Sequence, residues 1–231
     1  MMSSFLETRR RAPGFSIWRI LVFWTIVILL MRLSVVLLYR FKRRGMGHVP
    51  RTGPIIFVAN HQSNFDPALV GMLVCDRPFL GIARVGLFSS RLLSIFLHQF
   101  GAIELKRGES DIKAIRSAIL ELNAGRCVLI FPEGTRSPDG DIHEFKRGFW
   151  LLLKKSKAII LPVGIEGAYD AWKIGTKPKL RGYIEVAAGS PIEASQLLAL
   201  GEEEGTSFVR STIEELCQQC RIRIDLRSKQ S

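Results

Sequence analysis

The sequence lacks the features that mark several common classes of enzyme and binding protein. It has no G-x-S-x-G nucleophile elbow, which argues against a lipase or thioesterase of the α/β type. Its lone C-x-x-C pair, Cys217 and Cys220, has no second pair for zinc and no thioredoxin-like context. No residue cluster has metal-ligand spacing, and no nucleic-acid motif accompanies the basic residues. We therefore expect no metal, no nucleic-acid partner and reduced, structural cysteines.

Acidic residues are almost missing from the N-terminal part of the chain. Residues 1–48 contain nine Lys and Arg against one acid, a net charge of +8, and the rest of the chain supplies +4 of the total +12. The apolar segment between these basic clusters, residues 15–39, would form a helix about 37 Å long, enough to cross a bilayer core. Arg19 and Arg32 interrupt it, so its longest uncharged run, Ile20–Met31, has 12 residues.

We interpret residues 15–39 as a membrane-anchoring helix, or as a bent helical pair lying partly in one leaflet. The basic residues 40–44 would then face anionic headgroups on the cytoplasmic side. A buried core helix is the alternative, but the apolar side chains point to all sides of the helix. A signal peptide is not expected, because no small-residue cleavage site follows. The sequence thus predicts a membrane anchor over residues 1–47 and a monotopic protein on the cytoplasmic face of the inner membrane.

The rest of the chain, residues 48–231, alternates short apolar runs with helical patterns, and it shows no internal repeat and no second domain. This alternation predicts a single α/β domain with a mainly parallel central sheet flanked by helices. The predicted strands are 55–59, 101–107, 127–130, 158–167 and 183–192, and the predicted helices begin at Asp66, Leu87, Ser110, Phe145 and Thr206.

The first chemical motif is NHQSNFDP, residues 60–67, which directly follows the predicted strand 55–59. His61 is thus at the carboxyl end of a buried strand, where α/β folds place ligands. Asp66 can fold back and hold the imidazole, which could then take a proton from an alcohol. Because no nucleophilic serine is present, the alcohol would be the substrate, and acyl transfer would be direct. The alternative is a helix-capping aspartate beside a hydrogen-bonded loop histidine.

The second motif is FPEGTRSPDG, residues 131–140, again directly after an apolar strand. Gly134, Thr135 and Arg136 form a tight turn in which backbone N–H groups and a guanidinium can hold a phosphate. Glu133 would orient the arginine or bind a substrate hydroxyl. The alternative is a charged surface turn with an internal Glu133–Arg136 pair.

Three further basic residues are placed near the same edge of the sheet. Lys106 and Arg107 end a short strand, and Lys146 opens a helix together with Arg147. In one parallel sheet they would converge with Arg136 on the mouth that holds His61. Each taken alone is as well explained by a solvated surface charge. Together they predict a hydroxyl-activating base beside a phosphate-binding cluster.

Four stretches in this order, NHQSNFDP, GAIELKRG, FPEGTRS and LPVGIEG, resemble the four blocks of the glycerolipid acyltransferase (PlsC-like) family, from about residue 48 to 190. The resemblance implies that His61 is the general base and Asp66 its partner. It also implies a glycerol-phosphate site, and an N-terminal hydrophobic element in one leaflet is typical of the family. Lys106 stands where the family often has an acid, which leaves the headgroup preference open. The implied substrate-binding residues are Lys106, Arg107, Glu133, Gly134, Thr135, Arg136 and Lys146.

The resemblance therefore predicts transfer of a fatty acyl group to the 2-hydroxyl of a lysophosphatidate-like acceptor. The donor would be acyl-CoA or acyl carrier protein, membrane lipids would be partners, and no cofactor would be needed. We expect the acyl chain to lie in an apolar tunnel from residues 68–100. Two alternatives stay open: acylation of another lysophospholipid or lipid acceptor, and a non-catalytic, membrane-peripheral lipid-binding protein.

Overall fold

A computed structural model of the protein describes residue 26 and residues 28–74, 77–84, 103–105, 111–146 and 148–230. Within these residues, seven strands form one sheet with helices packed on both faces. The strands are β1 (Lys42–Arg44), β2 (Ile55–Ala59), β3 (Phe79–Arg84), β4 (Ile103–Leu105), β5 (Cys127–Ile130), β6 (Ile159–Glu166) and β7 (Glu185–Ala188). The helices are α1 (Ile28–Tyr39), α2 (Asp66–Leu73), α3 (Asp111–Asn123), α4 (Gly148–Lys155), α5 (Ala168–Ala171), α6 (Ala194–Leu200) and α7 (Glu202–Lys229), with a 3₁₀ turn at Met46–His48.

The strand order, β1-β7-β6-β2-β5-β3-β4, places β2 near the middle of the sheet. Strands β4, β3, β5, β2 and β6 are parallel, β7 is antiparallel to β6, and β1 is parallel to β7. The prediction of a mainly parallel α/β sheet is therefore confirmed. Because β2 and β5 are parallel neighbours, the loops that follow them leave the same edge of the sheet. This adjacency brings the first and second motifs together.

The core has two halves, one on each face of the sheet. Every residue of β2 is buried, as expected for a central parallel strand covered on both sides. Ile55 and Phe57 pack on the face covered by α1 and α2, and Ile56 and Val58 on the face covered by α3, α4 and α7. The continuous apolar run IIFVA thus fixes β2 at the centre of the fold.

Strand β1 lies inside the segment that the sequence assigned to the membrane anchor. Tyr39 and Phe41 are buried in the core, Arg43 donates to the Met72 carbonyl at 2.7 Å, and Arg44 pairs with buried Glu185 at 3.5 Å. Three consecutive charges show no strand periodicity, yet an edge strand tolerates them because one side of its ladder is open. The fold therefore takes in residues that precede position 48.

Only part of the predicted anchor can be compared with the structure. Helix α1 is present at Ile28–Tyr39, whereas residues 1–25 and 27 lie outside the described residues. Among the residues that the structure describes, no helix is both long enough and apolar enough to cross a bilayer. The predicted helix at 87–100 also lies outside this part of the chain, and so does most of the predicted acyl tunnel.

The start of α4 differs from the sequence prediction. The helix begins at Gly148, so Lys146 precedes it, while Arg147 lies outside the described residues. The N–H of Lys146 donates to the Pro132 carbonyl at 2.8 Å, which holds this residue against the second motif instead of in a helical turn.

Cys127, Cys217 and Cys220 are buried free thiols, as expected for structural cysteines.

Candidate active site

His61 and Asp66 form a hydrogen-bonded pair in the loop between β2 and α2. Nδ1 of His61 lies 2.7 Å from Oδ2 of Asp66. The pairing is local, because the chain folds back over only five residues between the strand end and the first turn of the helix. Among the described residues, Nε2 of His61 has no hydrogen-bond partner, and the side chain is 19% exposed. The pair therefore has the geometry of a base with an orienting carboxylate.

The Asp66 carboxylate is turned back into the loop and does not cap α2. Its Oδ2 also accepts hydrogen bonds from the backbone N–H groups of Gln62 at 2.6 Å and Ser63 at 2.7 Å. The helix begins at Asp66 without a side-chain cap, with Pro67 in its first turn. The capping alternative is therefore wrong. Burial raises the pKa of Asp66, and the hydrogen bonds from His61, Ser63 and Gln62 oppose that shift.

The imidazole of His61 also packs against an aromatic ring from the second motif. Its ring stacks on Phe131, with centroids 4.0 Å apart and planes inclined by 14°. Phe131 directly follows β5, the parallel neighbour of β2. Hydrogen bonding at Nδ1 and stacking on one face together restrict the imidazole to one orientation.

Buried polar contacts fix the backbone around His61. Asn60 exchanges two hydrogen bonds with the main chain of Ile165, at 2.9 and 2.8 Å, across β6. The Ser63 hydroxyl donates to the Trp172 carbonyl at 2.8 Å, and the Gln62 amide donates to the Gly140 carbonyl at 2.8 Å. These side chains are almost fully buried and hydrogen-bonded, so they hold the loop in this conformation.

Glu133 supports the loop and does not contact Arg136. It is buried, and its Oε1 accepts a hydrogen bond from the backbone N–H of His61 at 2.8 Å. Its Oε2 accepts one from the N–H of His143 at 3.2 Å. The expected Glu133–Arg136 pair is thus replaced by backbone contacts. Burial raises the pKa of Glu133, and the two N–H donors oppose the shift.

The absence of a side chain at Gly134 makes room for Lys146 beside the turn. Its N–H donates to the Phe131 carbonyl at 2.9 Å, which closes the turn, so this group is not directed at a ligand as the sequence had suggested. Its φ of +70° suits glycine, and a Cβ there would lie 2.7 Å from Nζ of Lys146. The missing side chain therefore allows the ammonium of Lys146 to lie directly against the turn.

Arg136 connects the two motifs through a different residue. Its guanidinium donates to the side-chain oxygen of Asn64 at 2.8 Å, in the same loop as His61. Thr135 is exposed in the turn between Glu133 and Arg136. The structure thus brings Arg136 into contact with the loop that carries His61 and places Lys146 and Thr135 at the adjoining turn, so Arg136 and Lys146 form a basic rim beside that loop. Lys106 and Arg107 lie outside the described residues.

The second motif continues into a loop with its own His–Asp contact. Oδ1 of Asp139 accepts hydrogen bonds from Ser137 at 2.8 Å, the Asp141 N–H at 3.1 Å and His143 at 2.9 Å. The Ser137 hydroxyl foremost, with the other two donors, lowers the pKa of Asp139 to about 2. The N–H of Ser137 in turn donates to the His61 carbonyl at 2.7 Å.

A comparison with known families identifies the chain. A family model described as Acyltransferase matches residues 40–166, more than half of the sequence, and the match contains both motifs. The chain belongs to the acyltransferase family.

The individual relatives of this chain are distant, and their names give one and the same activity. It is 27% identical over 183 residues to the chloroplastic 1-acyl-sn-glycerol-3-phosphate acyltransferase LPAT1 of Arabidopsis thaliana, covering 78% of this chain and 51% of the relative. It is 29% identical over 182 residues to the 1-acyl-sn-glycerol-3-phosphate acyltransferase of Borreliella burgdorferi, covering 77% and 72%. The chain spans about half the length of the plant relatives that it matches.

A solved structure shares the fold of this chain. The crystal structure of the 1-acyl-sn-glycerophosphate acyltransferase PlsC from Thermotoga maritima superimposes with a TM-score of 0.71, at 23% sequence identity, over 94% of this chain and 93% of that one. The mainly parallel sheet and its helices are therefore an arrangement found in a solved acyltransferase.

Several residues that support the site were not evident from the sequence alone. Asn60, Phe131 and Ser137 restrain His61, but each does so through a contact across the sheet edge. Only their position inside the two motifs could have pointed to them. Among the described residues, no group of three or more His, Cys, Asp or Glu side chains is arranged to hold a metal ion.

Proposed function

We propose that the protein transfers a fatty acyl group from an acyl thioester to the free 2-hydroxyl of lysophosphatidate, which gives phosphatidate. The observation that carries the proposal is the His61–Asp66 contact of 2.7 Å, with Nε2 left for a substrate proton and a basic rim beside it. The names of the relatives support the choice of acceptor. Acyl-CoA and acyl carrier protein are the two candidate donors.

The proposed reaction needs one base and no covalent enzyme intermediate. Nε2 of His61 removes the proton from the acceptor hydroxyl, and the oxygen attacks the thioester carbonyl. The tetrahedral intermediate collapses, the thiolate leaves, and it takes the proton back from the imidazolium. Asp66 stabilises the imidazolium and keeps Nε2 directed at the substrate. Positioned general-base catalysis of this kind contributes about 10²–10⁴-fold to a rate.

The basic rim would recognise the phosphate of the acceptor. Arg136 offers several N–H donors in a plane, and Lys146 adds a compact charge against the turn at Gly134. Lys106 and Arg107 are proposed to complete the rim from the second block. A lipid acceptor also requires access to a membrane, and the predicted anchor in residues 1–47 would hold the protein at the cytoplasmic face of the membrane.

The deciding experiment measures thiol release from palmitoyl-CoA by the purified full-length protein, with and without lysophosphatidate. We expect release that depends on the acceptor, and a loss of at least about a hundredfold in His61→Ala. His48→Ala is a matched control, because His48 is exposed and its imidazole Nδ1 lies 3.0 Å from the Ala188 carbonyl, away from the two motifs.

Each other outcome of this experiment points to a specific alternative. Release that persists in His61→Ala would disprove the role of His61. Release with another lysophospholipid but not with lysophosphatidate would change the acceptor and keep the mechanism. If acyl-CoA and acyl carrier protein donors are both inactive with every lyso-lipid tested, the lipid-binding alternative replaces the enzyme.

A further inference from the structure

Residues 173–181, between α5 and β7, form an exposed basic loop that we call the 173–181 loop. It carries Lys173, Lys177, Lys179 and Arg181 and no acid, a charge of +4. All nine of its residues are exposed, including Ile174 at 44% and Leu180 at 72%. Exposed apolar side chains among like charges are unfavourable in water, and this pattern suits the interface of an anionic bilayer.

The 173–181 loop is held in shape by its own hydrogen bonds. The indole N–H of Trp172 donates to the Thr176 carbonyl at 2.8 Å, and the Thr176 hydroxyl donates to the Lys173 carbonyl at 2.9 Å. The N–H of Lys179 donates to the Ala171 carbonyl at 2.8 Å. The loop therefore presents its basic and apolar side chains on a defined backbone.

The loop adjoins the C-terminal end of α1. The Tyr39 hydroxyl donates to the Lys179 carbonyl, and the N–H of Gly182 donates to the Leu38 carbonyl at 3.3 Å. Helix α1 exposes several large apolar side chains, with Leu37 at 72%. The exposed part of α1 and the loop therefore form one continuous surface that is apolar along the helix and basic at its end.

This surface meets the loop between β2 and α2, which carries His61 and which we call the catalytic loop. The contact is at Phe65, the residue before Asp66. The Phe65 ring makes edge contacts with Tyr39 at 5.6 Å and with Trp172 at 4.9 Å between centroids. The Ser63 hydroxyl also donates to the Trp172 carbonyl. The loop that carries Asp66 is thus packed directly against the two elements of the exposed surface.

We propose that the 173–181 loop, together with the exposed side of α1, docks on an anionic phospholipid leaflet and places the catalytic loop at the lipid surface. Charge complementarity and the continuous apolar helix favour a membrane over an acidic carrier protein, which would have no counterpart for Ile174, Leu180 and the exposed leucines of α1. We infer the docking from the described surface alone. Entry of the acceptor from that leaflet is a consequence that also depends on the proposed function.

The first test places a fluorescent probe in the loop of the full-length protein. Leu180→Cys, labelled with an environment-sensitive dye, is reconstituted with vesicles of phosphatidylcholine and phosphatidylglycerol. We expect a blue shift of the emission and quenching by spin-labelled lipid. Leu120→Cys, at an equally open position on α3 with 64% exposure, should show neither. The unsubstituted protein, treated in the same way, corrects for labelling of the four native cysteines.

The second test removes three of the four positive charges of the labelled loop. Lys177→Gln, Lys179→Gln and Arg181→Gln together should weaken docking by roughly fivefold for each charge removed, because each basic residue near an anionic leaflet contributes about 1 kcal/mol. High salt should have the same effect on the unmodified loop. The matched control neutralises three other exposed basic residues, Arg116, Lys155 and Lys157, and should leave the quenching unchanged.

Three results would overturn the proposal: equal emission from the probes at 180 and 120, no effect of the triple loop variant, or a shift produced by acyl carrier protein without vesicles. The last result would assign the loop to the donor. An inactive protein whose loop still docks would instead contradict the proposed function and leave this proposal intact, so the two can fail separately.

Discussion

Glu133 accepts a hydrogen bond from the backbone N–H of His61, although the two residues are 72 positions apart in the chain. One buried carboxylate thereby joins the loop after β5 to the loop after β2. Its second oxygen accepts a hydrogen bond from the backbone N–H of His143, so the same carboxylate also holds the segment that follows the second motif. From this geometry we predict that Glu133 acts on catalysis by positioning His61.

Glu133→Ala should lower both stability and activity. The substitution leaves the buried N–H of His61 unpaired, which costs about 1–3 kcal/mol of unfolding free energy. A shift of the imidazole by about 1 Å would reduce kcat about a hundredfold. Denaturant unfolding and thiol-release kinetics measure the two effects.

Two further variants separate positioning from general destabilisation. Glu133→Gln keeps one oxygen acceptor for His61 and should recover part of the kcat. Glu144→Ala changes an exposed neighbour and should lower neither the stability nor the kcat. If Glu133→Ala loses stability but keeps its kcat, the carboxylate has no positioning role.

The relation between sequence and structure differs from residue to residue. The contact of His61 with Asp66 was predictable, because it is local and an α/β strand end is where such residues act. The partner of Glu133 was not, because a backbone N–H from another loop leaves no trace in the sequence pattern. Strand β1 was missed for a related reason: its three residues are all charged and show no alternation.

Gly134→Ala should impair binding of the acceptor through Lys146. The residue has a φ of +70°, so alanine costs about 1–2 kcal/mol of stability, and its Cβ would lie 2.7 Å from Nζ of Lys146. Displacing the ammonium should raise the KM for lysophosphatidate by about tenfold or more, since a hydrogen bond to a charged group is worth about 1.5–3 kcal/mol.

Gly53→Ala is the matched control for this effect. Gly53 has a φ of +80°, but nothing lies within 4 Å of the added Cβ. It should show the loss of stability without the change in KM. Equal KM values for the two variants would mean that Lys146 does not contact the acceptor.

Arg136→Gln should act selectively on acceptors that carry a phosphate. We expect the KM for lysophosphatidate to rise about tenfold or more, because a charge-assisted hydrogen bond is lost. The KM for a neutral monoacylglycerol should not change. Arg136→Lys should recover only part of the loss, since lysine cannot keep the contact with Asn64 and bind phosphate in a plane. Arg116→Gln, on the exposed side of α3, is the control, and a uniform rise for both acceptors would contradict phosphate recognition.

The Asp139 carboxylate should make the fold sensitive to acid in a defined range. Hydrogen bonds from Ser137, Asp141 and His143 lower the pKa of Asp139 from 3.8 to about 2 in the folded protein. Between these values the unfolded chain binds more protons than the folded one, so stability rises with pH in that range. The contribution is complete above the usual aspartate pKa and is lost as the pH falls toward 2.

Asp139→Asn should therefore flatten the dependence of the urea unfolding midpoint on pH below about 4. The consequence reaches the active site, because Ser137 donates its hydroxyl to Asp139 and its backbone N–H to the His61 carbonyl. Acid that protonates Asp139 should thus loosen the loop that restrains His61. Identical pH profiles for the wild type and Asp139→Asn would mean that the carboxylate does not bind these donors in solution, and that other contacts hold the loop, among them those of Gln62 and Tyr169.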